Sequence, residues 1–214
     1  MRNLDPRSLG VYVVTSSGYV TGRGHREVAL AVIEGGATAV QLRAKELGDE
    51  ELLPLAAELA ARCRDADVLF VVNDRVGVAT ASGAAAVHVG QRDELEDVRQ
   101  RIGREMVLGV SVDSPEEARG AEGAGADYLG VTVWPTPTKP DATARGVEGL
   151  RTIAGATTLP VVGIGGISAS NAVEVLAAGA AGVAVISAVG AAEDPVTATR
   201  VLADVVARWK VGER

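Results

Sequence analysis

This 214-residue chain has one cysteine, 3% aromatic residues, no basic excess and no long apolar run. A lone Cys63, set in the alanine-rich stretch ELAARCRDAD, excludes an internal disulfide framework and gives no support to a thiolate metal site. It reads as a small residue packed on a helix. The formal net charge of -7 disfavours a nucleic-acid partner, because neutralising a phosphate backbone needs a basic face. No segment approaches the ~18 consecutive apolar residues of a membrane span. The start MRNLDPRSLG has no apolar core of signal-peptide length. The expectation is a soluble cytoplasmic protein with neither a membrane nor a nucleic-acid partner. Small local cation clusters can still dominate one pocket of an acidic protein, so a phosphorylated ligand stays open.

What is present is alanine, valine and 26 glycines, the material of helices layered on a sheet with many tight turns. Short Val-rich runs predict strands at 11–15, 39–43, 69–73, 86–90, 107–111, 128–133, 160–165 and 182–187. Amphipathic or alanine-rich stretches predict helices at 25–35, 49–64, 76–82, 94–102, 115–124, 147–155, 170–178 and 195–209. Ser114-Pro115-Glu116-Glu117 and Asp194-Pro195 read as helix starts. A Gly-Ala phrase near 35–38, 83–86, 125–127 and 179–181 closes helices ahead of the next strand. Nearly continuous apolar strands alternating with helices imply a parallel sheet covered on its outside. Eight such units predict a single (β/α)8 TIM barrel over residues 1–214, with 1–10 as an N-terminal extension. An open doubly wound sheet would more often carry a Gly-rich nucleotide loop near its start, and none follows VYVVT.

In such a barrel the chemistry belongs at the C-terminal strand ends. The segment QLRAK ends the second strand, and alternation puts Gln41, Arg43 and Lys45 on one side with Leu42 and Ala44 on the other. Two cations and an amide facing one way are costly to bury without an anion, which points to a polyanionic small molecule. Asp74 and Asp93 follow neighbouring strands and suit Mg²⁺, which takes one or two carboxylates plus phosphate and water; Asp74 capping the next helix and Asp93 standing in solvent are the structural alternatives. Gly163-Ile164-Gly165-Gly166, with Ser187 after the eighth strand, reads as a phosphate cradle or a tight turn. The loop Thr136-Pro137-Thr138-Lys139 offers hydroxyls and an ammonium to a departing anion. His88 reads as a satisfied core histidine, His25 as the start of the first helix, and Trp134 as packing or a wall for a ring.

Taken in order, QLRAK, Asn73-Asp74-Arg75, HVGQ with Asp93, GVS at 109–111, PTPTK at 135–139, GIGG at 163–166 and the segment 183–188 resemble the thiamine-phosphate synthase family. Each motif is weak alone; their joint order and spacing span nearly the whole chain. The resemblance implies joining a hydroxymethylpyrimidine diphosphate to a thiazole phosphate, with release of pyrophosphate. It implies that Gln41, Leu42, Arg43, Ala44, Lys45, Asn73, Ser111 and Lys139 hold the pyrimidine diphosphate, and that Asp74 and Asp93 ligate Mg²⁺. It implies that Thr136, Pro137, Thr138, Gly166, Ile186 and Ser187 hold the thiazole phosphate. Arg43, Lys45, Ser111 and Lys139 would carry the catalysis, with no protein nucleophile. Many relatives have a Gly-Pro pair before the aromatic residue of strand six, where Gly130-Val131-Thr132-Val133-Trp134 is one residue shorter, so the shape of that loop is open. A thiazole tautomerase and a non-catalytic phosphate-ligand sensor are the competing functions, and a homo-oligomer is left open. Retention of both aspartates together with Arg43 and Lys139 favours the synthase.

Overall fold

The computed structural model describes residues 4–17, 22–91, 93–137 and 143–212. Eight parallel strands close into a barrel in strictly sequential order. They are β1 (Val11–Val14), β2 (Ala39–Leu42), β3 (Leu69–Asn73), β4 (Ala86–Val89), β5 (Val107–Ser111), β6 (Tyr128–Thr132), β7 (Val161–Ile164) and β8 (Gly182–Val185). The barrel closes through Val11 paired with Val183 and Tyr12 with Ala184. The covering helices are α1 (His25–Glu34), α2 (Asp49–Asp65), α3 (Val76–Ser82), α4 (Leu95–Ile102), α5 (Pro115–Gly123), α6 (Gly146–Ala154), α7 (Ala172–Ala177), α8 (Ser187–Gly190) and α9 (Pro195–Lys210). The fold is therefore the (β/α)8 barrel that the strand-and-helix alternation predicts.

Period-two alternation sorts each strand into two environments. Outward residues such as Val40, Leu42, Val72, Val87, Leu108, Val131 and Val183 join helix residues, among them Leu52, Leu59 and Cys63, in the larger core. Inward residues form a second cluster of Tyr12, Val14, Ala39, Val71, Ala86, Val107, Tyr128, Val162 and Ala184. Leu9, within the stretch read as an extension, belongs to this inner cluster and is fully buried. A short 3-10 turn, Pro6–Leu9, delivers it, with Asp5 capping the turn through the Arg7 amide. Its burial plugs the bottom of the barrel.

Climbing each strand, the inward side chains change from apolar to polar. On β2 the order is Ala39, Gln41, then Arg43 and Lys45 just past the strand; on β4 it is Ala86 and His88; on β5 Val107, Gly109 and Ser111. The apolar lower half closes the core, and the polar upper half is what the fold offers to a ligand. Helix starts are set locally, since Ser114 Oγ accepts the Glu117 amide at 3.1 Å and Asp194 caps α9 through the Val196 amide at 3.0 Å. The inter-strand spacing also demands one very small residue. A Cβ on Gly109 would overlap the ring of Tyr128, which is fully buried in the interior.

Candidate active site

The polar upper halves of the strands enclose a cavity of about 480 Å³. Gln41, Arg43, Lys45, Asn73, Asp74, Asp93, Ser111, Thr136 and Ile186 all line it. A second cavity of about 270 Å³ adjoins it, sharing Thr136, Ile164, Gly165, Ala184 and Ile186 and adding Gly166 and Ser187. Residues far apart in sequence thus meet at one mouth, because they lie at or near the C-terminal ends of neighbouring parallel strands.

Arg43 is half-buried and Lys45 exposed. Among the described residues neither forms an ion pair, and both cations line the cavity. An anionic ligand is the natural complement. Leu42 and Ala44 differ from the expectation. They are 1% and 5% exposed and pack in the outer core under the helices, so their side chains do not reach the cavity. The reason is the pleat, which sends alternate residues to opposite faces.

Asp74 adopts a left-handed backbone with φ of 61°, rare for a residue with a side chain. Its amide donates to the His88 carbonyl at 2.8 Å and its carboxylate accepts from Asn73 Nδ2 at 2.7 Å. It does not cap α3; the N-cap is Arg75, without a side-chain cap bond. The strained backbone instead turns the carboxylate into the cavity. Asp93 accepts the Gly90 amide at 2.8 Å and also lines the cavity. Among the described residues no group of three or more His, Cys, Asp or Glu gathers for a metal. Two carboxylates alone suit a hard cation that completes its shell with phosphate oxygens and water, not a zinc-type cage.

The second cavity is floored by backbone. Gly165 and Gly166 have φ of 93° and 66°. A Cβ on Gly165 would lie 2.6 Å from the Trp134 carbonyl oxygen, and one on Gly166 would lie 3.0 Å from Trp134 Cβ. Asn171 ties this turn, accepting the Ser168 amide at 2.8 Å and donating to the Gly166 carbonyl at 3.0 Å. The shortened strand-six loop is held here too, with the Val133 amide on the Ile164 carbonyl at 2.7 Å. Trp134 is partly buried, packs against the core and lines neither cavity. Pro137 is exposed and also lines neither cavity. Thr138 and Lys139 lie outside the described residues.

Tyr12, His88, Gln91, Tyr128 and Thr132 line the cavity without having been singled out as ligand contacts. The signal was strand parity. Tyr12 and Tyr128 share the inward register with Gln41 and Ser111, but which register faces inward is fixed only when the barrel closes. His25 does open α1, yet it is only 8% exposed. Its Nδ1 meets Thr15 Oγ1 at 2.8 Å and its Nε2 meets Glu46 Oε1 at 2.7 Å. The Arg43 amide donates to the same Thr15 hydroxyl at 3.3 Å, so His25 braces the segment that carries both cations.

A family model described as thiamine monophosphate synthase matches residues 11–189. A thiamine-phosphate synthase of Natronomonas pharaonis is 46% identical over 205 residues, covering 94% of this chain and 96% of the relative. One of Moorella thermoacetica is 47% identical over 201 residues, covering 92% and 96%. Among solved structures, a thiamine phosphate pyrophosphorylase from Pyrococcus furiosus superposes with a TM-score of 0.88 at 42% identity, over 95% of this chain and 98% of that one. With sequence, fold and the arrangement of the strand ends in agreement, the chain belongs to the thiamine monophosphate synthase family.

Proposed function

We propose that this protein condenses 4-amino-2-methyl-5-(diphosphooxymethyl)pyrimidine with thiazole phosphate, giving thiamine phosphate and pyrophosphate. The observation that carries this reading is the pair of adjoining cavities, one lined by two cations and two carboxylates, the other built on a glycine turn. Two sites side by side suit two phosphorylated substrates that must react with each other.

In this reading Gln41, Arg43, Lys45, Asn73 and Ser111 hold the pyrimidine diphosphate. Thr136, Gly166, Ile186 and Ser187 hold the thiazole phosphate, with Thr138 and Lys139 completing the set from outside the described residues. The bond between the methylene carbon and the diphosphate oxygen breaks with its electron pair leaving on pyrophosphate. The aminopyrimidine ring delocalises the positive charge left on the methylene, and the thiazole nitrogen lone pair then forms the new C–N bond. Arg43 and Lys45 stabilise charge gathering on the departing anion, which is differential stabilisation of the transition state. Asp74 and Asp93 would hold Mg²⁺, which supplies further charge neutralisation at the diphosphate when bound. No protein nucleophile takes part. The same proposal places the protein in the cytoplasm with small-molecule partners only, as a single-domain barrel able to form homo-oligomers.

The test is a coupling assay with both substrates, following thiamine phosphate and pyrophosphate with and without a chelator. Product formation that stops with chelator and in Asp74→Ala/Asp93→Ala supports the reading. Calorimetry of Mg²⁺ with pyrophosphate should likewise lose its metal-dependent heat in that double variant. No product from the wild-type protein with Mg²⁺ present would refute the function, and indifference to chelator would refute the metal assignment.

A further inference from the structure

Five side chains from five strands are joined across the floor of the larger cavity. Gln41 Nε2 donates to Tyr12 Oη at 2.6 Å, and Tyr12 Oη meets Tyr128 Oη at 2.9 Å. Tyr128 Oη meets His88 Nδ1 at 3.0 Å, and His88 Nε2 meets Ser111 Oγ at 3.0 Å. Tyr12 and Tyr128 are 2% and 0% exposed. Burial, the largest influence on each, pushes both phenols above the ordinary tyrosine value, so both keep their protons.

A hydroxyl has one proton, so the direction of one link fixes the next. With the Gln41 amide nitrogen turned inward, Tyr12 gives its proton to Tyr128, and Tyr128 gives its own to His88 Nδ1. The imidazole then carries its proton on Nε2 and donates to Ser111. Ser111 is left with its own O–H to offer the cavity, while Gln41 offers its carbonyl oxygen. In the opposite sense every proton reverses. Gln41 would then show only N–H groups and Ser111 only lone pairs. The two ends of the floor are therefore not independent, although they sit on β2 and at the end of β5.

We propose that Tyr12, Tyr128 and His88 are positioning residues that couple the hydrogen-bond sense of Gln41 to that of Ser111, so that the floor selects a ring with a donor toward Gln41 and an acceptor toward Ser111. An aminopyrimidine has that pattern, and the corresponding 4-oxo pyrimidine inverts it. The inference deepens the pyrimidine diphosphate reading above and rests on it. A site built to hydrogen-bond one polar pattern rejects its inverse strongly, because buried groups on both sides lose their partners.

The experiment compares kcat/KM for the 4-amino diphosphate and its 4-oxo analogue in wild type, Tyr12→Phe and Tyr128→Phe, at saturating thiazole phosphate. Wild type should prefer the amino ring by about 100-fold or more. Either phenylalanine uncouples the ends while keeping the ring in place, so the preference should fall to roughly tenfold or less, with thiazole phosphate KM within about twofold. A merely structural role would lower both efficiencies together and leave their ratio intact, and an unchanged ratio in both variants overturns the proposal. A second arm needs neither activity nor a variant that folds. The chain has two histidines, and nitrogen NMR of the ligand-free wild type should show His88 as the neutral Nε2-H tautomer. An Nδ1-H tautomer overturns the assigned sense. Failure of wild type to couple the substrates at all would strike the function, and the tautomer would still decide the chain.

Discussion

Gly165→Ala tests the cradle most directly, because two separable penalties fall on one methyl group. The φ of 93° lies beyond the small left-handed region open to side chains, at a cost of about 1–3 kcal/mol. The added Cβ would also sit 2.6 Å from the Trp134 carbonyl oxygen. Neither backbone gives way easily, since the two segments are bonded through Val133 and Ile164 at 2.7 Å, and such overpacking costs about 1–3 kcal/mol. Together these come to about 4 kcal/mol, or roughly 8–16 °C in melting temperature for a domain of this size. Gly83→Ala is the control. It has φ of 71° at the C-cap of α3, with nothing within 4 Å of the added carbon. Only the backbone penalty remains there, partly offset by a stiffer unfolded chain, so about 1 kcal/mol or roughly 2–4 °C is expected. Thermal unfolding of both variants gives the difference. In the coupling assay Gly165→Ala should also raise the thiazole phosphate KM about tenfold more than that of the pyrimidine diphosphate. A Gly165→Ala protein as stable as Gly83→Ala would show that the Trp134 carbonyl does not close this position.

Three further outcomes are expected. His25→Asn should loosen the Arg43–Lys45 segment and raise the pyrimidine diphosphate KM several-fold, read by steady-state kinetics. It should also flatten the acid side of stability. Burial raises the Glu46 carboxyl, but hydrogen bonds from His25, its own backbone and Ser17 outweigh this and hold it below 4.5. A depressed carboxylate stabilises the fold above its unfolded value and loses that contribution as pH falls through the lowered one. Melting curves from pH 6 down to 3 should therefore fall less steeply in the variant than in wild type. Arg99 donates to the carbonyls of Gly103, Met106 and Gly125 and to Asp127 Oδ2, which in turn accepts the Leu108 amide. Arg99→Lys keeps the charge but not the fork, and should cost about 3 kcal/mol, measured by denaturant midpoint, with kcat unchanged. Cys63 is fully buried and its thiol is pushed up to about 12, so a thiol reagent at pH 8 should react only on unfolding.

The strands were legible because each is a short Val-rich run whose limits coincide with a change from apolar to polar or glycine residues. All eight lie within the predicted ranges. Gly36, Gly83, Gly125 and Gly179 of the Gly-Ala phrases all take positive φ. Helix α7 begins at Ala172 and not at 170, since Ser168 and Asn171 are committed to the turn before it. The four-residue α8 was invisible, being too short to show a period. At the site, Gln41, Arg43, Lys45, Asp74 and Asp93 were legible as charged or polar exits from apolar strands. Tyr12, Tyr128 and the use of His88 were not, because their meaning depends on contacts between strands up to 116 residues apart. Leu42 and Ala44 show the limit of a contiguous motif, since the pleat sends only every second side chain to the cavity and puts theirs in the outer core.

The placement of Leu9 has a practical outcome for handling the protein. Leu9 and Gly10 lie under the barrel, and the Gly10 carbonyl accepts the Val183 amide at 3.1 Å at the foot of β8. The last helix returns to the same place, with Lys210 Nζ 3.0 Å from where a Gly10 Cβ would stand. Both ends of the described chain, Leu4 and Gly212, thus lie toward the underside. A purification tag, fluorescent reporter or surface linker fused at either end hangs away from the mouth, and a short peptide joining the two would permit circular permutation without crossing the route by which reactants arrive.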